Sequence, residues 1–362
     1  MQITRRFIDF LFAVRYDLER KYWAQYFPIK PRVINLLVND ICNSQCVMCM
    51  IWKRKREHEV TPQELSDILS DNLFAKVKSV GVSGGEPTLR SDLPQLYNAI
   101  CQALPSLKSA SIITNALNPE QVIERILASE DVCHKNQVRF SVMVSLDGVG
   151  KIHDLQRGRE GNFNTAMHVI RYFRDQTDIP VSVGCTITKR NLWSVDELLE
   201  FCKGEGLRVH FRIAEFINRL YNEGEKDIIR NFTPIEAYHL GLFFMKLDLQ
   251  YERSPEVQRT YRSINKMLTG EAGRTIGCPY QSRAVVLDSR GQMQYCAPKS
   301  RIIGNALEGS AEMIFKRNLS ERRRILAQEC QNCIHDYHAD QTTRELFSRL
   351  VHHFWRRVFS LD

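Results

Sequence analysis

Short apolar runs alternate with longer amphipathic segments along most of this chain. Val33-Ile34-Asn35-Leu36-Leu37-Val38 is apolar and β-branched without helical spacing, the pattern of a buried strand. Similar runs recur at Val77 to Ser83, 109–113, Val138 to Leu146, Val181 to Ile187 and Leu207 to Ile213. Helices are predicted between them. Thr61-Pro62-Gln63-Glu64 is a capping box with proline at the first helical position, opening a helix over 62–72. Others follow over 92–104, from Asn118-Pro119-Glu120-Gln121, over 162–176, and from the cap Ser194-Val195-Asp196-Glu197. Six strand–helix units in succession predict a parallel sheet with helices outside it. They are fewer than the eight of a closed barrel. In such sheets ligands collect at the C-terminal strand ends.

Outside this region, 31–215, the pattern changes. Phe7, Phe10, Leu11, Val14 and Leu18 recur at helical spacing, predicting an amphipathic helix within 1–30 that packs on the sheet–helix body. A helical linker is expected over 216–274, with helices opening at Thr233-Pro234-Ile235-Glu236 and Ser254-Pro255. Phe243, Phe244, Met245 and Leu247 there read as core. A smaller unit follows over 275–338, with a hairpin turning at Ser289-Arg290-Gly291. The tail, 339–362, reads as a docking helix with Trp355 and Phe359 facing inward.

With 362 residues, 43% of them apolar, the chain can bury a large core. The net charge of +8 is spread along the sequence with one local run, Lys53-Arg54-Lys55-Arg56. No nucleic-acid-binding motif accompanies that run, so a solvated face is expected rather than a nucleic-acid partner. The apolar stretch after Arg5-Arg6 is too short to span a bilayer, carries Asp9 and lacks a small-residue cleavage site. A cytoplasmic location and no membrane span are expected.

Eleven cysteines in a long chain, clustered and odd in number, fit reduced metal ligands better than disulfides. Cys42, Cys46 and Cys49 fall within eight residues directly after the first strand. Thiolates so grouped can hold an iron–sulfur cluster with one open iron. A structural zinc site, with His58 as the nearest fourth ligand, is the alternative. The CxxxCxxC loop after a first strand resembles that of the radical S-adenosylmethionine (SAM) superfamily. The commonest form of that loop has an aromatic residue where this chain has Met48. The resemblance implies a partial (β/α)6 TIM barrel, a [4Fe-4S] cluster and SAM. It also implies reductive cleavage of SAM to a 5′-deoxyadenosyl radical, with electrons from a flavodoxin or ferredoxin-type donor.

The same resemblance reaches the strand ends. Gly84-Gly85-Glu86-Pro87 is similar to the superfamily's GGEP motif, which binds the SAM amino group. Thr114 and Asn115 end the third strand, and Ser145-Leu146-Asp147-Gly148 the fourth. The latter resembles an SLDG-type turn. It is followed by His153, Arg157 and Gly158 as in peptide-modifying members, and Asn191 closes the fifth strand's loop. By that resemblance Thr114, Asn115, Ser145, Asp147, Arg157 and Asn191 are SAM contacts. Read without it, Asp147-Gly148 is turn chemistry and His153 a surface or core histidine.

A second cysteine set, Cys278, Cys296, Cys330 and Cys333, closes the shell of either zinc or a cubane, with His335 and His338 as spare zinc ligands. Its C-x12-G-x4-C, then C-x2-C spacing resembles the opening of the SPASM extension of radical SAM enzymes. Ala339 and Thr343 stand where later cysteines of a full SPASM region would fall, so the shortened twitch form is the nearer match. That implies a small α+β domain with an auxiliary [4Fe-4S] cluster. It makes the expected enzyme an oxidoreductase acting on a peptide or a sugar- or cyclitol-like molecule. Asp336, His335 and His338 are the acid/base candidates. Cys101, Cys133, Cys185 and Cys202 read as ordinary packed residues. A non-catalytic zinc-binding scaffold is the reading from a different class.

Overall fold

The computed structural model describes residues 2–55, 57–338, 343, 346 and 347; in the N-terminal helix it describes the side chains of residue 8 and residues 10–18. Its centre is one continuous sheet. Strands β1 (Val33–Leu37), β2 (Ser79–Ser83), β3 (Ser109–Thr114), β4 (Arg139–Ser145), β5 (Val181–Ile187) and β6 (Val209–Ile213) lie parallel, each paired with its sequence neighbour. Burial alternates along them: Ile34, Leu36, Val80, Val82, Ala110, Ile112, Val142 and Val144 are buried on one face, while the other face is mostly small or polar and only partly buried. β6 pairs only with β5, so the described strands form no closed barrel.

The predicted helices are present, those expected over 62–72 and 92–104 with shorter ends. Pro62–Leu69 carries both halves of the Thr61–Glu64 capping box. Leu93–Ala103, Pro119–Lys135, Asn162–Gln176 and Val195–Gly204 follow in turn. Ser194 sits at the last helix's N-cap, but its side chain makes no capping bond. Pro234–Lys246 and Pro255–Leu268 form the helical segment after β6, with Phe243, Phe244 and Leu247 buried. Met245, expected in the core, is exposed on the opposite face of its helix. Cys133, Cys185 and Cys202 are buried and Cys101 is partly so.

The smaller unit is not set apart from the sheet. Its strand β7 (Ala284–Leu287) pairs parallel with β1, aligning Val33 with Ala284. β8 (Gln292–Gln294) returns antiparallel, and β9 (Gly304–Asn305) ends the order β6-β5-β4-β3-β2-β1-β7-β8-β9. The turn falls where the sequence places it. Gly291 has φ 77°, and a Cβ there would meet Asn305 Oδ1 at 2.8 Å. Cys278 precedes β7 and Cys296 follows the antiparallel β8, so both stand toward the N-terminal end of β7, whereas the first cysteine set follows the C-terminal end of β1.

The N-terminal helix Gln2–Leu18 forms, but most of its expected apolar stripe faces outward: Val14 is only partly buried, and the Phe7 side chain lies outside the described ones. Phe10, Leu11 and Leu18 are exposed, whereas Ala13, Tyr16 and Asp17 are buried. The helix docks through polar contacts instead. The Tyr16 hydroxyl donates to the Cys278 carbonyl (3.3 Å), and Glu19, just beyond, pairs with Arg283 (2.9 Å). Trp355 and Phe359 lie outside the described residues. Among the described residues no helix is long and apolar enough to cross a membrane.

Candidate functional site

The cysteine loop leaves β1 at Asn39, and three segments hold it. The first is the Gly84-Gly85-Glu86 turn after β2. Gly85 N–H donates to the Asn39 carbonyl (2.9 Å) and to its Oδ1 (3.0 Å), and Glu86 N–H donates to the Ile41 carbonyl (2.8 Å). The glycine serves this approach, since a Cβ on Gly85 would lie 1.9 Å from the Ile41 oxygen. The second is the end of the short helix Lys151–Arg157, which sequence patterning did not single out. Gln45 and Val47 N–H groups donate to the carbonyls of Arg157 and Gln156 (3.0 Å each), and Arg159 Nε donates to Asn43 O (2.7 Å). The third is the loop after β6, where Leu220 O accepts from Met50 N–H (2.8 Å). Met48 packs with Ala214 and Ile229, a hydrophobic seat that suits methionine at this position.

Cys42, Cys46 and Cys49 line one cavity of about 250 Å³ at the C-terminal ends of the strands. Burial pushes the Cys42 thiol up to about 12 and the Cys49 thiol up to about 11, with Cys46 adding to both. N–H groups already point at the sulfurs. Ser44 N–H (3.4 Å) and Asn115 Nδ2 (3.6 Å) approach Cys42 Sγ, and Arg157 Nη1 lies 3.7 Å from Cys46 Sγ. Such donors stabilise thiolate and cluster sulfur. Among the described residues, no three His, Cys, Asp or Glu side chains stand close enough to share one metal ion. Zinc would draw its sulfurs much closer, with Zn–S about 2.3 Å; a cubane several ångströms across accepts a wider set.

The strand-end residues divide into two layers. Gly84, Gly85, Glu86, Thr114, Asn115, Ser145 and Arg157 line the cavity. Glu86 is fully buried there, and burial raises its carboxyl pKa. Its oxygens accept from Thr88 Oγ1 (2.7 Å), Thr114 Oγ1 (2.8 Å) and Asn115 N–H (2.7 Å), which fixes the carboxylate against the wall. Pro87, Asp147 and Asn191 do not line the cavity but stand behind it. Asn191 Nδ2 donates to the Asp147 carbonyl (2.8 Å) and its Oδ1 accepts from Thr188 N–H (2.8 Å). Asp147 faces Arg157 (2.6 Å) rather than open space, and its N–H donates to His153 Nδ1 (3.0 Å). His153 is therefore a buried core histidine, its pKa lowered by burial to about 3.

Arg212, Glu215 and Arg219 complete the cavity wall, and sequence reading named none of them. Arg212 had a signal, a charge on the polar face of β6, where His210 and Arg212 alternate with the buried Val209, Phe211 and Ile213. Glu215 is buried; its Oε1 takes Arg230 Nη1 (2.6 Å) and Lys299 Nζ (3.3 Å).

Cys278, Cys296, Cys330 and Cys333 line a second, separate cavity with Arg274, Lys299 and Tyr337. Burial pushes Cys278 up to about 12 and Cys330 up to about 11. Arg274 clamps the last segment by donating to the carbonyls of Cys333 (3.1 Å), His335 (2.6 Å) and Tyr337. His335 lines both cavities, stacks on Tyr337 (3.9 Å between rings) and meets Asp336 Oδ1 at 2.7 Å. Asp336 lines neither. Although burial opposes it, Arg212 and His335 hold its carboxyl well below the usual range. His338 lines neither cavity, and its ring lies near the Asp336 carbonyl (3.4 Å).

Comparison with known proteins places these features. Residues 36–202 match the family model of the Radical SAM superfamily. The sporulation killing factor maturation protein SkfB of Bacillus subtilis is 28% identical over 50% of this chain and 41% of its own length. The mycofactocin maturase MftC of Mycolicibacterium smegmatis is 27% identical over 43% of this chain and 38% of its own. A probable GTP 3′,8-cyclase of Methanocaldococcus jannaschii is 26% identical over 57% and 65%. The chain thus spans about half the length of the curated relatives it matches. Two solved structures share the fold. Streptococcus suis SuiB bound to S-adenosylmethionine has a TM-score of 0.58 at 16% identity, covering 83% of this chain and 69% of that one. Native anSMEcpe with bound AdoMet and Cp18Cys peptide has 0.57 at 19%, covering 80% and 81%. These relatives do not favour a zinc-binding scaffold.

Proposed function

We propose, from the premise that this chain carries a domain of the radical SAM superfamily, that it oxidises a C–H bond of a peptide substrate. In this reading Cys42, Cys46 and Cys49 hold a [4Fe-4S] cluster whose open iron takes SAM. Cys278, Cys296, Cys330 and Cys333 hold an auxiliary [4Fe-4S] cluster. When bound, cluster and SAM supply a 5′-deoxyadenosyl radical that takes a hydrogen atom from the substrate. The residues around the cavity do the rest. Glu86, fixed by Thr114 and Asn115, presents a carboxylate to an ammonium group, and Thr114, Asn115 and Ser145 offer polar contacts to the remainder of SAM. The apolar wall of Ile213, Ala214 and Ile217, the first two buried, keeps water from the reacting carbon.

The observation that carries the reading is the adjacency of two cysteine-lined cavities, with His335 on the wall of both. Four cysteines in the second set leave no vacant position for substrate, which suits that set to accepting an electron and favours net oxidation. Support for a peptide comes from the precursor peptide SuiA bound to SuiB, and beside it from relatives named for the maturation of a sporulation killing factor and of mycofactocin. A flavodoxin or ferredoxin-type protein is the proposed electron donor.

The test supplies the reconstituted enzyme with SAM, reductant and deuterated candidate peptides. We expect deuterium in 5′-deoxyadenosine and a peptide lighter by two hydrogens. Deuterium arriving only from a sugar or cyclitol would overturn the peptide assignment, and a product of unchanged mass would overturn the oxidation.

A further inference from the structure

The end of the Lys151–Arg157 helix does more than brace the cysteine loop. Arg157 is buried, and its guanidinium is spent in two directions: Nε on Asp147 Oδ2 (2.6 Å) and Nη1 on Cys46 Sγ (3.7 Å). Asp147 is itself held at every polar atom. Its N–H donates to His153 Nδ1 (3.0 Å), its carbonyl accepts from Asn191 Nδ2 (2.8 Å) and its Oδ1 from Thr186 N–H (2.7 Å). Neither side chain can turn away without breaking buried bonds. The arrangement therefore fixes a cation, backed by one anion, against a single sulfur of the trio.

We infer that Arg157, positioned by Asp147, sets the reduction potential of the iron–sulfur centre held by Cys42, Cys46 and Cys49. The inference rests on that assignment of the cysteines. Reduction adds one electron to a buried centre. A guanidinium and its N–H at a ligating sulfur stabilise the added charge and make the potential less negative. The Asp147 carboxylate opposes this, so the pair sets a value between the two extremes. The same relation explains why Asp147 and Asn191 lie behind the cavity wall: they orient the residue that touches the sulfur.

The test is an EPR-monitored redox titration of the anaerobically reconstituted full chain, following the signal that changes when SAM is added. Arg157→Gln removes the charge and should shift the midpoint to more negative potential. Asp147→Asn leaves the guanidinium unopposed and should shift it the other way. Arg157→Lys, which keeps the charge, should fall between wild type and Arg157→Gln. Midpoints equal to wild type, or shifts of Arg157→Gln and Asp147→Asn in the same direction, would overturn the inference. Should Arg157→Gln assemble no cluster, the opposite signs expected for Asp147→Asn and Arg157→Lys still decide. A wild-type chain that takes up no iron counts against the cysteine assignment itself.

Discussion

Gly85 stands so close to Ile41 that any β-carbon on it would overlap the Ile41 carbonyl oxygen, at 1.9 Å. The obstacle is backbone, which cannot swing aside as a side chain can. Gly85→Ala should therefore displace the cysteine loop and destabilise the apoprotein by about 1–3 kcal/mol, the usual cost of overpacking. Denaturant unfolding of the apoprotein checks this, and iron uptake by the first cysteine set should fall with it.

Glu86 gives a pH signature. Burial raises its pKa above the ordinary 4.5, so the folded chain binds this proton more tightly than the unfolded one. The resulting stabilisation is complete below pH 4.5 and is lost as pH rises through the raised value. Glu86→Gln lacks this titration. The unfolding free energy of wild type minus that of Glu86→Gln should decline with rising pH above 4.5. A difference that stays flat or climbs contradicts the assignment.

The two cysteine sets should separate by mutation. Cys330→Ser or Cys333→Ser should lower the iron content of the reconstituted chain from about eight to about four, one cubane's worth. SAM cleavage should survive while substrate oxidation is lost. Iron analysis with a 5′-deoxyadenosine assay checks both.

Arg274 ties the carbonyls of three alternate residues of the last segment, Cys333, His335 and Tyr337, to one guanidinium. Bonds to a charged donor contribute about 1.5–3 kcal/mol each at most, and they share one side chain. Arg274→Ala should speed amide hydrogen exchange across 330–337 at least tenfold. Exchange in β1 to β6 should not change.

The sequence shows best what is local. The Thr61 and Thr233 capping boxes, the Gly291 turn and the spacing of Cys42, Cys46 and Cys49 all lie within a few residues, and each stands where its pattern places it. What depends on distant partners was not legible. β7 resembles any short apolar strand, and only the tertiary fold seats it beside β1. Glu215 lines the first cavity while its carboxylate meets Lys299, far away in the chain and on the wall of the second. The N-terminal helix shows how periodicity can mislead. Its stripe predicts a helix correctly, but Tyr16 and Glu19 choose the docked face through a hydrogen bond and an ion pair. Asp147 and Asn191 were visible as a motif, yet only packing tells which layer of the wall they occupy.

Adding SAM and dithionite to the full chain reconstituted with iron and sulfide, and quantifying 5′-deoxyadenosine, tests the central claim most directly. We expect brown protein that forms 5′-deoxyadenosine, and no formation in Cys42→Ala, Cys46→Ala or Cys49→Ala. Colourless protein that retains zinc and leaves SAM intact would contradict it.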